Sequence, residues 1–226
     1  MNNVFKITET KVRVTADNDL AARDVQKSVH DQGAVLINLM GSPGAGKTST
    51  LVQTIQALKD QYRIGVMEAD VDSDVDARTV QAAGAKVIQL HTGGSCHMDA
   101  DMTQRGLAEL DIADLDVIFL ENVGNLVCPA EFDVGADLKV MILSVPEGDD
   151  KPLKYPLMFT VSDAMLINKI DTAPIFDFDF EAAEKRAKER NPEIEVFRLS
   201  ARTGEGYDAW IAWLKQKIAE VRHESH

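Results

Sequence analysis

The segment Gly41-Ser42-Pro43-Gly44-Ala45-Gly46-Lys47-Thr48 follows the pattern G-x-x-x-x-G-K-S/T, which is suited to holding phosphate. Its glycines let the main chain wrap closely around phosphate oxygens. Backbone N–H groups and a following helix N-terminus supply partial positive charge, and Lys47 adds a mobile full charge for the β and γ oxygens. Thr48 is the expected Mg²⁺ ligand, and Ser49 continues the cradle. A second set of residues suits a transition metal. Cys96 and His97 lie in the stretch Thr92–Met98, and Cys128 lies in Asn125-Leu126-Val127-Cys128-Pro129. Two thiolates and one imidazole fit Zn²⁺ or Ni²⁺, with a fourth ligand expected from water, another acid or a second subunit. The sequence also admits a buried structural role for either cysteine, or a redox disulfide between them.

Asn168-Lys169-Ile170-Asp171 follows an apolar run and resembles N-K-x-D, the guanine-reading motif of the GTPase families. A fixed Asp171 carboxylate can accept from guanine N1–H and N2–H₂ together, and adenine offers no such pair. GTP is therefore the expected nucleotide. Ser200-Ala201-Arg202 resembles the loop that packs near the guanine O6 in those families. Glu121, closing the run Val117–Glu121, stands where P-loop enzymes keep the acid that holds Mg²⁺, usually through water. Asn122-Val123-Gly124 follows it, which departs from the D-x-x-G of Ras-like proteins, and no water-orienting Gln follows. Asp70 is the candidate second carboxylate for Mg²⁺ or the attacking water; Asp72, Asp74 and Asp76 compete with it or form a solvated loop. Lys47, Thr48, Asp70 and Glu121 thus form the expected catalytic set. Intrinsic turnover is expected to be slow, because no arginine finger is visible.

Positioning these groups requires a scaffold that brings distant segments to one edge. Short apolar runs at Ala34–Met40, Arg63–Glu68, Lys86–Leu90, Val117–Glu121, Leu138–Val145, Ala164–Asn168 and Glu195–Leu199 read as strands, with helices filling most gaps. The pattern predicts an α/β fold: a mostly parallel sheet with helices on both faces, the G-domain form of a P-loop NTPase. The loop-like stretches Ala69–Asp76, Thr92–Met98, Asn122–Asp133 and Pro146–Pro152 mostly follow strands, where ligands bind such sheets. Residues 1–32 read as an N-terminal extension with one amphipathic helix over Asp17–Gln32, on which Leu20, Val25 and Val29 share part of one face. Residues 33–226 read as the P-loop domain with its metal-binding loops. The net charge of −13 argues against nucleic acid and anionic lipid as partners. With no membrane-length apolar run and no signal-peptide pattern at the start, a cytoplasmic location is expected. His30 and His91 read as structural, and His223 and His226 as part of a solvated tail.

The segments Gly41–Thr48, Gly93-Gly94-Ser95-Cys96-His97, Glu121–Pro129 and Pro146-Glu147-Gly148-Asp149-Asp150 are together specific. Through them the chain resembles the HypB family, the nickel-insertion GTPases of nickel–iron hydrogenase maturation, within the dimerising P-loop GTPases that include the urease accessory proteins. The likeness covers nearly the whole chain from Gly33 on. Urease relatives carry C-P-H where this chain has Cys96-His97, which favours the hydrogenase branch. The resemblance implies a homodimer that closes on GTP, with Cys96, His97 and Cys128 near the interface and a metal affinity that depends on nucleotide. It implies two further partners, a nickel-carrying accessory protein and a hydrogenase large subunit. By the same likeness Lys154 reaches toward the nucleotide region of the partner subunit, and Phe176 is a dimer contact. The chain lacks the cysteine cluster and histidine-rich stretch of some relatives, so metal storage is not expected. Two other readings stand beside this one. The first is a P-loop small-molecule kinase with incidental thiols, which N-K-x-D opposes; the second is a GTPase serving urease or a cobalamin-dependent mutase.

Overall fold

The structure, a computed structural model, describes residues 16–70 and 75–224. Strands β1 (Val35–Gly41), β2 (Ile64–Asp70), β3 (Lys86–His91), β4 (Val117–Glu121), β5 (Leu138–Ser144), β6 (Ala164–Asn168) and β7 (Glu195–Arg198) form one sheet in the order β3-β2-β4-β1-β5-β6-β7. Every neighbouring pair is parallel, as the continuous apolar runs predicted. The helices are α1 (Ala16–His30), α2 (Lys47–Leu58), α3 (Val75–Ala83), α4 (Ala100–Leu110), α5 (Cys128–Glu131), α6 (Lys151–Lys154), α7 (Pro156–Val161), α8 (Phe180–Lys188) and α9 (Tyr207–Glu224). Among the described residues, no helix is long and apolar enough to cross a membrane.

Side chains alternate across a strand, so a strand covered on both faces must be apolar throughout. β1 is the clearest case, since all of it is buried. Val35, Ile37 and Leu39 pack with Leu51 and Ile55 of α2 and Trp210 and Leu214 of α9. On the other face Leu36 meets Val25 and Val29 of α1 and Leu107 and Leu110 of α4. Met40 lies farther along that strand, with Met158 and Phe159 of α7 and Ala183 of α8. Each large side chain so buried contributes about 1.5–3 kcal/mol. The P-loop that follows β1 is therefore anchored to a strand buried along its whole length.

Two expectations are corrected here. Leu20 is 61% exposed, whereas Ala22, Val25 and Val29 form the buried stripe of α1. Five residues at about 100° each separate Leu20 from Val25, which turns it away from the sheet; Ala22, three residues before Val25, takes its place. The stretch Asn122–Asp133 is not all loop, because Cys128 opens the short helix α5 with Pro129 in its first turn. α1 is held to β1 by Asp137, which accepts from Leu36 N (2.9 Å) and Gln26 Nε2 (3.0 Å) and lies 2.6 Å from His30 Nε2. That contact gives His30 the structural role expected of it.

At the end of the sheet opposite the P-loop, Asp116 accepts from Arg63 N (2.9 Å), Nε (3.0 Å) and Nη2 (3.2 Å), and Arg222 of α9 lies 3.2 Å away. The hydrogen bonds from Arg63 hold the Asp116 carboxyl below its ordinary pKa. A depressed folded-state pKa means that the unfolded chain takes up the proton first as the pH falls. The stabilisation is then complete above the unfolded value of about 4 and is lost as the pH drops through the folded value. We predict that Asp116→Asn lowers stability at pH 7 by about 1 kcal/mol, discounted for the solvent-exposed arginine. In urea denaturation the gap between wild type and variant should shrink below about pH 4; a gap independent of pH would refute the assignment.

Candidate functional site

The phosphate cradle forms where β1 gives way to α2. Gly46 caps α2 with φ 93°, in the left-handed region, and an added Cβ would stand 2.4 Å from Asn168 Nδ2. Both conformation and space therefore demand glycine here. Lys47 is buried, and its Nζ points back to Ser42 O at 3.4 Å. Thr48 Oγ1 donates to Glu121 Oε1 at 2.8 Å, so the residue expected at the P-loop end of a Mg²⁺ site meets the acid closing β4. Pro43, Gly44, Gly46, Lys47, Thr48, Ser49, Glu121 and Lys169 help line a cavity of about 600 Å³. Glu68 and Ala69 of β2 also line it. Glu68 is a buried carboxylate opposite Glu121 in the β2–β4 register. Asp70 ends β2, but its side chain lies outside the described positions, as do Asp72, Asp74 and the side chain of Asp76.

Beside this cavity is a second one, of about 280 Å³, lined by Gly46, Ser49, Asn168, Lys169, Asp171, Thr172, Ala201 and Arg202. Its walls are stitched together by Asn168. That buried side chain donates to Ala45 O of the P-loop (3.0 Å) and accepts from Ala201 N (3.1 Å) and Lys169 N (2.8 Å). Lys169, itself at φ 62°, extends its Nζ to Gly44 O at 2.5 Å. Ser200 Oγ donates to Asp171 Oδ1 at 2.6 Å, which fixes the orientation of that carboxylate. Asn168, Asp171 and Ala201, read from two separate motifs, thus wall one pocket, and Ser200 is buried behind it on Asp171.

The thiols meet on the other side of the P-loop. Cys96 Sγ lies 2.9 Å from Cys128 Sγ and 3.7 Å from His97 Nδ1, and the ligand atoms of Cys96, His97 and Cys128 all lie within 4.8 Å of one another. Metal–sulfur bonds of about 2.3 Å and metal–nitrogen bonds of about 2.0 Å span at most about 4.3 Å from sulfur to nitrogen, so the three groups stand at or close to the reach of one ion. The loop bearing Cys96 is pinned at its far end. Met98 is fully buried, its N donates to Asn122 Oδ1 (3.2 Å), and Asp99 caps α4 by accepting from Met102 N (2.8 Å). The His97 ring stacks on Phe132, with centroids 3.9 Å apart and planes at 19°. Burial lowers the His97 pKa, which favours the neutral imidazole that binds metal. The hydrogen bond with Cys96, and then burial, push the Cys128 thiol above its ordinary value, while the Asn125 amide pulls it down. Such a convergence leaves no basis for treating the thiols as incidental, so the kinase reading is not favoured.

Lys154 ends α6 and pairs with Asp150 at 2.6 Å. Phe176 is 41% exposed beside Ile175 at 80%, an apolar tip on the segment after Asp171. Sequence reasoning missed four residues that shape the site: Glu68, Asn122, Asn125 and Phe132. For Glu68 a signal was present, because a carboxylate inside a doubly covered strand is costly unless it has work to do. The other three owe their roles to contacts between loops far apart in sequence.

A family model described as "CobW/HypB/UreG, nucleotide-binding domain" matches residues 35–198. The hydrogenase maturation factor HypB of Azotobacter vinelandii is 47% identical over 204 residues, covering 90% of this chain and 67% of that protein. Among solved structures, HypB from Helicobacter pylori in complex with nickel superposes with a TM-score of 0.85 at 33% identity, covering 91% of this chain and 96% of that one. Hydrogenase maturation factor HypB from Archaeoglobus fulgidus gives 0.83 at 35%, covering 90% and 99%. With its phosphate cradle, Asp171 and Cys/His cluster all inside the matched span, the chain belongs to the CobW/HypB/UreG family of P-loop NTPases, on the side of the HypB hydrogenase maturation factors.

Proposed function

We propose that the chain is a GTP-hydrolysing metallochaperone that carries nickel for insertion into hydrogenase, with nucleotide state governing dimerisation and metal release. The observation that carries this reading is the meeting of Cys96 and His97, on the loop after β3, with Cys128, on the segment that leaves β4 beside the P-loop. The nickel in the related Helicobacter pylori structure supports it. Zn²⁺ is the competing ion, because thiolate and imidazole ligands accept both. Hydrogenase is the proposed client and urease the alternative.

In this reading Gly41 to Ser49 bind the phosphates through backbone N–H groups, and Lys47 stabilises charge on the β and γ oxygens. The Thr48 hydroxyl and Glu121 carboxylate are hard oxygen donors 2.8 Å apart, the kind Mg²⁺ takes, and with Asp70 they would hold that ion, whose charge neutralises the triphosphate. Asp70 also orients the attacking water. Asp171 reads the guanine edge, with Asn168, Lys169, Ser200 and Ala201 shaping its pocket. No residue in the set supplies an arginine finger, so turnover is slow until a partner assists. The protein works in the cytoplasm as a GTP-dependent homodimer, with Phe176 in the contact and Lys154 reaching the partner subunit. A nickel-carrying accessory protein loads it, and the hydrogenase large subunit receives the metal.

Two predictions test this reading. Asp171→Asn should lower GTP affinity on the order of 100-fold by removing the paired acceptor. XTP, whose C2 carbonyl accepts from the new amide, should overtake GTP in competition against a fluorescent nucleotide. An unchanged order of preference would mean that Asp171 does not read the base. Titration of Ni²⁺ into protein loaded with GDP or a non-hydrolysable GTP analogue, followed by light scattering, should give nucleotide-dependent affinity and dimer population. Cys96→Ala/Cys128→Ala should lose that binding. Equal affinity in both nucleotide states, or full binding by the double variant, would end the metallochaperone reading.

A further inference from the structure

Between the phosphate cradle and the thiols stands Asn125, which touches both. Its main-chain N–H donates to Gly41 O at 3.1 Å, forming an isolated antiparallel bridge with the first residue of the P-loop. Its side chain faces the other way. Asn125 Nδ2 donates to Cys96 O at 3.4 Å, and Oδ1 accepts from Val127 N, next to Cys128, at 2.8 Å. The same short segment also presses on the cradle: Gly124 lies so close to Pro43 that an added Cβ would stand 2.9 Å from Pro43 Cγ and 3.0 Å from its Cα. A movement of Gly41–Pro43 around a γ-phosphate therefore cannot leave residues 124–125 where they are. Through the two arms of the Asn125 amide, such a movement must alter the spacing of the segments that carry Cys96 and Cys128.

The neighbouring Asn122 makes a useful contrast. It is buried, and its side chain donates to Asn38 Oδ1 of β1 (3.2 Å) and accepts from Met98 N (3.2 Å) and Val123 N (2.9 Å). That side chain ties the floor of both loops to the sheet and reaches neither the P-loop backbone nor a cysteine. Asn122 therefore holds the frame from which Asn125 can move.

We propose that Asn125 is the positioning residue that couples the P-loop to the metal ligands, setting the separation of Cys96 and Cys128 according to the nucleotide bound. The inference rests on the metallochaperone reading above, and it assigns to one side chain the coupling which that reading requires. A ligand shifts a conformation only by contacting its two states differently. Asn125 supplies such a difference because its main chain follows one site while its side chain contacts the loops of the other. Coupling between sites commonly amounts to about 5- to 150-fold in affinity, a range that one two-armed amide can carry or abolish.

The test uses the full chain and Ni²⁺ alone as probe, titrated with GDP and with a non-hydrolysable GTP analogue bound. The variants are wild type, Asn125→Ala and Asn125→Asp. Both substitutions keep the N–H on Gly41 O. Alanine removes both side-chain arms; aspartate is isosteric, keeps the acceptor for Val127 N and loses the donor to Cys96 O. We expect wild type to show different Ni²⁺ affinities in the two nucleotide states and both variants to bring that ratio to within about 2-fold of unity. Nucleotide affinity should stay close to wild type, and the ratio of Ni²⁺ affinities between the two nucleotide states is the readout, because the Asn125 amide also touches the Cys128 thiol. Should Asn125→Ala fail to fold, the isosteric Asn125→Asp carries the same expectation. A wild-type ratio retained by the variants overturns the proposal. Loss of Ni²⁺ binding in both nucleotide states also overturns it, because that outcome marks Asn125 as a structural support of the metal ligands. A wild type with no nucleotide dependence instead removes the underlying reading, and the two failures are thus told apart.

Discussion

β1 hydrogen-bonds to β4 with Leu39 opposite Glu121, and that register decides which loops can meet. Two residues beyond Leu39 the P-loop begins, and beyond Glu121 the chain runs through Asn122 and Asn125 to Cys128. The Thr48–Glu121 contact and the Gly41–Asn125 bridge follow from this pairing, and the approach of Cys128 to Cys96 follows from it together with the β4–β2 and β2–β3 pairings. A slip of β1 against β4 would break the first two together. The strands can hold that register because β1 and β4 are buried throughout, so moving one past the other would break well-filled contacts on both faces.

The sheet was legible in the sequence because doubly covered strands must be continuous apolar runs, and each expected run became a strand with ends shifted by no more than a residue or two. The P-loop and the motif at Asn168 were legible for a different reason: phosphate binding and a base edge demand particular groups at particular spacings. Leu20 was misplaced because apolar character was weighed ahead of angular position on the helix. Cys128 was placed in a loop although Pro129 after it is a recognised helix opener. The parts that stayed hidden are contacts such as Phe132 under His97 and Asn125 between Gly41 and Cys96. No local pattern announces such roles, because each depends on which loops the sheet order makes neighbours.

Two kinds of ligand chemistry share one edge of this sheet without mixing. Hard oxygen donors, Thr48 and Glu121, line the phosphate cavity, while sulfur and imidazole nitrogen gather around Cys96. This division by softness favours different cations in the two places. In a chain with a net charge of −13, the lysines at the cradle, Lys47 and Lys169, concentrate positive charge where an anionic nucleotide would lie. Attraction for the triphosphate is thereby local and owes nothing to the surface as a whole.

Cys96 and Cys128 stand 32 positions apart in the chain, on segments that follow β3 and β4 and enclose α4. An ion held by both thiolates acts as a removable crosslink across that unit. In chain-entropy terms, closing a loop of this length is worth about 3 to 4 kcal/mol against the unfolded state. The benefit falls where the sheet has least packing of its own, since β3 is an edge strand with no fully buried residue. Cargo would then resist local opening of β3–α4–β4, and any receiver that extracts the ion must leave behind a looser sheet edge.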